Sequence, residues 1–189
     1  SGNGNNTTQS TGAAQPLLYN NVGLLKVDGR PGLRFVGTAD ALPFDNTGLD
    51  IGNLSSFAVL KYQDTDGSEV GLGLSGGVAN KRWYAPYLLN GNFNYGYGSV
   101  VTAVNTTANT SVNLHTQIAG ATQTDMEAFL NGTSVGTSTL ATGIDTTNSG
   151  IGNLADGFHM NGFIQEVVVY SSDQSERREG IERNISNHY

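Results

Sequence analysis

The sequence of 189 residues contains no cysteine, four prolines and one tryptophan. Without cysteine, the protein can form no disulfide, no thiolate metal site and no cysteine nucleophile. Lysine and arginine together number only nine. Because they are scattered, they form no basic patch of the kind that binds nucleic acid. No apolar run approaches the length of a membrane span, so we expect no membrane insertion.

Glycine and small polar residues are abundant instead. The chain has 26 glycines and a net charge of −7, with many threonines and asparagines. This composition is typical of an all-β domain with many turns and little helix. We predict a flexible lead-in over residues 1–15 and a single domain over residues 16–189. The opening SGNGNNTT is typical of a linker or cut point, so we expect a piece of a longer protein.

The C-terminal stretch combines a strand and the one convincing helix. Residues 163–170 form a nearly continuous run of strand-forming apolar residues, which is typical of a strand buried on both faces. Beyond it, Ile181, Ile185 and Tyr189 recur every four residues and mark one apolar stripe of a short amphipathic helix. Asp173 and Glu176 have the spacing of a capping box at its start. This helix must dock on an apolar surface, and we expect it to cover an end or edge of the strands.

The rest of the chain consists of short apolar segments separated by turn residues. The clearest segments lie at 33–36, 56–62 and 111–118. Asn-Gly turns lie at 90–91 and 131–132. Short strands at regular intervals with such turns predict an antiparallel β-sandwich or jelly roll.

Four stretches, in this order, resemble the concanavalin-A-like or laminin-G-like jelly-roll module. They are GRPGLRF at 29–35, SFAVLK at 56–61, MEAFLNG at 126–132 and GFIQEVVVY at 162–170. The C-terminal sequence from Ile164 to Tyr189 is similar to the form of this module seen in bacteriophage tail-fibre, tailspike and capsid-appendage proteins.

The resemblance implies a concanavalin-A-like jelly roll with a short C-terminal amphipathic helix. It further implies a non-enzymatic module on a phage virion surface, acting in particle assembly or in attachment to host glycans. Its partners would be other virion proteins, copies of itself or a cell-surface polysaccharide. The alternative is a carbohydrate-binding module of a secreted bacterial protein, and a hydrolase or lyase is a distant third. Fold alone does not decide among these functions.

Carboxylates in the sequence do not favour an enzyme. Glycoside hydrolysis needs two carboxylates flanking the bond, and the glucanases of this fold carry three on one strand. The pair Asp125 and Glu127 lacks the third, and we interpret it as the exposed face of a strand. Glu166 lies inside an apolar run, and the resemblance implies a structural role for it, because the family commonly has a structural glutamate at this position. We therefore expect no catalytic residues.

One turn could bind calcium. Asp64, Asp66 and Glu69 place oxygen ligands at i, i+2 and i+5 around a glycine, which suits a hard cation. A solvated hairpin turn explains the same residues, because aspartate and glycine are common in turns. We expect no other cofactor.

Two aromatic segments at 82–87 and 93–97 are the candidate ligand-binding region. Sugars stack on aromatic rings while amide groups bond their hydroxyls, so we predict a binding role for Tyr84, Tyr87, Asn92, Tyr95 and Tyr97. We expect Trp83 in the core, and Tyr84, Tyr95 and Tyr97 at the surface. The alternatives are core packing and a protein interface, since tyrosine and tryptophan suit both.

Overall fold

The computed structural model describes residues 7–44, 49, 53–75, 82–97, 104–119, 125–139, 148–153 and 157–189. Its strands, numbered in chain order, are β1 Tyr19–Asn20, β2 Gly23–Leu24, β3 Lys26–Val27, β4 Arg30–Pro31, β5 Leu33–Val36, β6 Leu42–Pro43, β7 Ser55–Tyr62, β8 Ser68–Val70, β9 Leu72–Ser75, β10 Arg82–Leu89, β11 Asn92–Tyr97, β12 Val104–Thr107, β13 Asn113–Ala119, β14 Asp125–Leu130, β15 Thr133–Thr139, β16 Asn148–Ile151 and β17 Asn161–Tyr170. Helical elements are 3-10 turns at Gly12–Ala14 and Ser175–Arg177 and the α-helix α1, Arg178–Ser186.

Two antiparallel sheets form the body of the protein. The six-stranded sheet has the order β15-β14-β13-β7-β17-β5 in the described residues. The seven-stranded sheet has the order β12-β11-β10-β9-β16-β6, and β8 also pairs with β10. β1 pairs with β2 and β3 with β4 in two small hairpins. The predicted antiparallel β-sandwich with a short C-terminal helix is confirmed.

The core lies between the two sheets. Strands alternate their side chains between faces, so β7 sends Ala58, Leu60 and Tyr62 inward to meet Trp83 and Phe93 from the other sheet. Trp83 is fully buried, as predicted, and its indole N–H donates to the Ser56 hydroxyl at 3.3 Å. Burial of each such large side chain contributes about 1.5–3 kcal/mol, which is the main force holding the sheets together.

The C-terminal helix covers the outer face of the six-stranded sheet. Ile185 is 3% exposed and packs with Phe57, Val59 and Leu114, while Ile181 packs against the same cluster. Ile181 and Ile185 of the predicted apolar stripe therefore form the docking surface, whereas Tyr189 lies beyond the end of α1 and is 41% exposed. The helix packs on a face of the sheet and not on the end or edge that we expected. The reason is that Phe57 and Val59 of β7 and Leu114 of β13, which point outward beneath the helix, are apolar.

The predicted capping box is wrong. The Asp173 carboxylate accepts the backbone N–H of Ser175 at 2.9 Å, which starts the 3-10 turn. The α-helix begins only afterwards, at Arg178, and its N-cap residue Arg177 makes no side-chain capping bond. A local Asx turn thus replaces the reciprocal pair with Glu176.

Both long edges of the sandwich are protected. On one side, β12 and β15 contact each other across the two sheets, and Val104 lies 3.4 Å from the position of a Cβ added at Gly136. On the other side, Leu17 pairs with Arg34 of the edge strand β5 through two backbone bonds of 2.9 and 2.8 Å. Sheet edges otherwise present unpaired backbone groups.

The described part of the lead-in is bonded to the sandwich. The Gln9 side-chain amide donates to the Ala41 carbonyl at 3.3 Å, and the Ala41 N–H donates to Ala14 at 3.1 Å. Residues 1–6 lie outside the described residues. The domain boundary at residue 16 stays a prediction.

Candidate functional site

Three neighbouring strands of the seven-stranded sheet present polar side chains on its outer face. In the register of β10, β11 and β12, Tyr87 lies opposite Asn94 and Asn94 opposite Asn105. One row further, Leu89 lies opposite Asn92 and Asn92 opposite Thr107. We call these six residues the asparagine face. Asn105 and Thr107 are exposed, Asn92 and Leu89 are half-buried, and Tyr87 and Asn94 are buried, each with 7% of its surface exposed.

Aromatic side chains continue this face across β10. The Tyr84 and Tyr87 rings meet edge to face at 5.6 Å between centroids, and Phe158 packs on Tyr87 in the same way at 5.3 Å. Val70 completes the cluster. Phe158 is half-buried, so it is the ring of this row most available to an apolar surface of a ligand.

Hydrogen bonds hold the amides of the face in place. The Asn94 amide nitrogen donates to the carbonyls of Tyr87 at 3.2 Å and Asn92 at 3.0 Å, and the Asn92 amide nitrogen donates to the Asn90 carbonyl at 3.0 Å. Such bonds fix which way each amide points. Fixed amide groups beside an apolar ring suit a ligand that is rich in hydroxyls and has one less polar face.

The structure separates the predicted binding residues. Tyr84, Tyr87 and Asn92 lie on the outer face, but Tyr84 is only 2% exposed, so its expected surface position is wrong. Tyr95 is fully buried on the inner face, and its expected exposure is also wrong. Alternation along β11 explains this, because Phe93 and Tyr95 point into the core while Asn92 and Asn94 point outward. The side chain of Tyr97 lies outside the described residues, and ligand binding by these five residues stays a prediction.

Tyr95 instead forms a buried pair with His115. Its hydroxyl lies 2.7 Å from His115 Nδ1, and the imidazole packs edge to face on Phe93 at 4.8 Å. Burial lowers the pKa of His115 to about 3 and raises that of Tyr95 above its ordinary value. Both side chains therefore stay neutral at physiological pH, and their role is structural.

The predicted calcium ligands do not assemble as expected. Asp64 and Glu69 both bond to Asn161: its backbone N–H donates to Glu69 Oε2 at 2.7 Å and its amide nitrogen to Asp64 Oδ2 at 3.2 Å. Arg34 donates to the Asn161 amide oxygen at 2.8 Å. Asp66 is exposed, and among the described residues no three acidic, histidine or cysteine side chains could hold a metal. Calcium binding here stays a prediction without a formed site.

Glu69 has an unusual environment within this cluster. Burial raises the pKa of Glu69 to about 7, with a further rise from the Asp64 carboxylate; the Asn161 N–H and the Arg34 guanidinium act in the opposite direction. The carboxyl joins β8 of the seven-stranded sheet to the start of β17 in the six-stranded sheet, so we assign it a structural role in fastening the two sheets together.

No family model and no curated protein sequence matches the chain. Similar folds occur in solved structures of sialidase-associated carbohydrate-binding modules and of neurotoxin binding domains. No helix in the described part of the chain is long and apolar enough to cross a membrane.

Three of these structures give the extent of the likeness. The CBM40 module of the Ruminococcus gnavus IT-sialidase, bound to α2,3-sialyllactose, has a TM-score of 0.56 and 12% identity over 78% of this chain and 93% of its own. The NanB sialidase of Streptococcus pneumoniae, K499G mutant, has a TM-score of 0.60 and 13% identity over 78% of this chain. The binding domain of botulinum neurotoxin serotype D/C has 0.58 and 10% over 81%.

At these identities the comparisons establish the fold alone. The matched part covers about a quarter of the NanB chain, 26%, and 43% of the neurotoxin chain. None of these three structures is a phage protein, so the expected virion origin gains no support. Two of the three, the R. gnavus CBM40 module and the neurotoxin domain, are binding modules or domains by name.

Sequence reasoning missed Asn94, Asn105 and Phe158. The signal for Asn94 was present, because Asn-Phe-Asn-Tyr-Gly alternates polar and aromatic residues with a period of two, which places the amides together on one face. Asn105 and Phe158 reach the face through strand pairing and a loop contact, which no local pattern reveals.

Proposed function

We propose that the chain is a non-enzymatic carbohydrate-binding module, and that its binding surface is the asparagine face together with Phe158. The observation that supports this most is the alignment of exposed Asn105 and Thr107 with Asn92 beside the Tyr87–Phe158 ring pair. A fold shared with a carbohydrate-binding module over nearly its whole length is consistent with the proposal.

Binding would use two kinds of contact. The Asn92 and Asn105 amides and the Thr107 hydroxyl donate to and accept from sugar hydroxyls, and the Phe158 ring covers the C–H face of one sugar. None of the six residues carries a carboxylate, so the six do not supply the pair of carboxylates that glycoside hydrolysis uses. The expected outcome at this site is binding without turnover.

The binding surface can be tested with two substitutions at accessible positions. The wild-type protein should bind members of a glycan array, and Asn105→Ala and Phe158→Ala should each weaken that binding about tenfold, since each removes a contact worth about 1–1.5 kcal/mol. Tyr19→Ala is the matched control, because Tyr19 is 62% exposed and lies on the N-terminal hairpin away from the face.

Two results would count against the proposal. Binding that survives both face substitutions would remove the asparagine face as the site. Sustained release of reducing ends from a bound polysaccharide would show that the protein is an enzyme.

A secreted bacterial module fits the proposed activity, and weak contacts of this kind gain strength when several copies act together. Display on a phage virion, with attachment to host glycans, uses the same surface and stays a prediction. So does assembly with virion proteins or with copies of itself. The genes beside the coding sequence would distinguish the two settings.

A further inference from the structure

The asparagine face carries none of the cationic groups that bind an anionic sugar. Across β10, β11 and β12 the one charged residue is Arg82, at the start of β10. It lies five residues before Tyr87, which is about 16 Å at the rise of an extended strand. The six residues of the face therefore offer a sugar carboxylate no guanidinium or ammonium partner.

An acidic turn borders the same face. The Gly91 N–H donates to the Thr65 carbonyl at 3.2 Å, which joins the turn between β7 and β8 to the turn between β10 and β11. Asp66 and Asn92 each follow one of these two bonded residues, so they lie roughly 10 Å apart. That distance is about one Debye length, so the charge of exposed Asp66 is only partly screened at the face. Within the described residues the salt bridges are those of Arg178, which leaves this charge uncompensated.

The charge of the whole protein acts in the same direction. Its net charge is −7, so an anionic glycan that approaches the protein meets repulsion. The R. gnavus module, in contrast, is bound to sialyllactose, which is an acidic glycan. A shared fold does not carry a ligand class with it, and the charges around this face favour an uncharged ligand.

The width of the face sets the length of the ligand. Phe158 packs on Tyr87 of β10, whereas Asn105 lies on β12, with β11 between the two strands. Two strand spacings separate β10 from β12, which is about 10 Å. A single sugar ring is shorter than this span. A ligand that contacts both Phe158 and Asn105 must therefore contain at least two sugar units.

We infer that the asparagine face binds an uncharged oligosaccharide of two or more units and discriminates against anionic glycans, with Asp66 contributing to that preference. The inference rests on the proposed function and names the ligand class of the same site. One sugar unit stacks on Phe158, and the next unit bonds to the exposed amide and hydroxyl of Asn105 and Thr107.

NMR titration of the ¹⁵N-labelled protein tests the ligand class. The neutral probes are cello-, malto- and galacto-oligosaccharides of one to four units and lactose, and the anionic probes are oligogalacturonates and 3′-sialyllactose. At least one neutral series should shift the Asn105 and Thr107 amides, with a Kd that falls at least about tenfold from one unit to three. The anionic probes should bind there at least about tenfold more weakly than that neutral series.

Reversal of one charge tests the part that Asp66 plays. Asp66→Lys should raise the affinity for the anionic probes, relative to the neutral ones, about twofold to fourfold, and 1 M salt should abolish this gain. Its fold should be intact, because the backbone N–H of Asp66 and not its carboxylate bonds to Asp64. Glu176→Lys is the matched control, since Glu176 is exposed in the 3-10 turn before α1 and the charge change is the same.

The outcomes separate this inference from the proposed function. If no probe shifts the amides of the face, glycan binding there is refuted, and the inference falls with it. If an anionic probe binds the face as tightly as the neutral ones, or if one sugar unit binds as tightly as three, glycan binding stands and the inference alone is overturned. An unchanged preference in Asp66→Lys would show that Asp66 has no part in it.

Discussion

Replacing His115 by asparagine should remove an acid-dependent loss of stability that the wild-type protein carries. Burial lowers the pKa of His115 in the folded protein to about 3, whereas histidine in an unfolded chain titrates near ~6.5. Below pH 6.5 the unfolded chain therefore binds a proton that folded His115 does not, so the free energy of unfolding falls. The loss begins near pH 6.5 and is complete near pH 3.

The size of the effect follows from the pKa difference. Each pH unit below 6.5 costs about 1.36 kcal/mol, so the histidine alone should lower the free energy of unfolding by about 2 kcal/mol between pH 7 and pH 5. Asparagine can still accept the Tyr95 hydroxyl, but it loses the ring that packs on Phe93. We expect a pH-independent penalty of about 2 kcal/mol for that lost packing.

Urea denaturation at pH 7, 6 and 5 measures both the pH-dependent loss of stability and the pH-independent packing penalty, with the fluorescence of buried Trp83 as the signal. The stability gap between wild type and His115→Asn should narrow by about 2 kcal/mol from pH 7 to pH 5. Other titrating groups are common to both proteins and cancel in the difference. His188→Asn is the control, because His188 is exposed. A gap that stays constant with pH would refute the reasoning.

Three further substitutions test other parts of the fold. Because the pKa of Glu69 is raised to about 7, its contribution to stability is lost as the pH rises from 4.5 through 7. The melting temperature of Glu69→Gln, relative to that of the wild type, should therefore rise by a few degrees between pH 5 and pH 8. The same difference in melting temperature at both pH values would contradict this. Gly152→Ala should destabilise by at least about 2 kcal/mol more than Gly91→Ala in urea denaturation; both have positive φ, but only at Gly152 does an added Cβ overlap a core ring, that of Phe35. Ile185→Asp should lower the melting temperature by roughly 10 °C, since it buries a charge under the helix; an unchanged value in calorimetry would show that the helix is not docked.

The architecture was largely predictable because its signals are local. Residues 163–170 are apolar on both faces, and β17 does lie with the core on one side and the helix cluster on the other. Spacing of Ile181 and Ile185 predicted the docked stripe of α1. Such patterns need only the periodicity of one element, which the sequence states directly.

The candidate site was predictable only in part because its residues meet through pairing between strands. A bulge between Tyr84 and Tyr87 changes the register of β10 against β11, and no pattern in the sequence announces it. Asn105 joins the face because β12 pairs with β11, which places Asn105 opposite Asn94. No local pattern in the sequence predicts that pairing. The assignment of Tyr95 to the surface failed for a simpler reason: an alternating strand offers two faces, and the sequence does not say which is inside.

The pairing of Leu17 with Arg34 has a practical consequence for anyone who shortens this protein. Those two backbone bonds cover strand β5, which is otherwise the outermost strand of its sheet. A fragment that starts after Leu17 would leave the N–H and C=O of Arg34 without these partners at the open side of β5, and a second molecule could add its own strand there. The segment around Leu17 therefore protects β5 from pairing with a second molecule, and a shortened protein should begin upstream of Leu17.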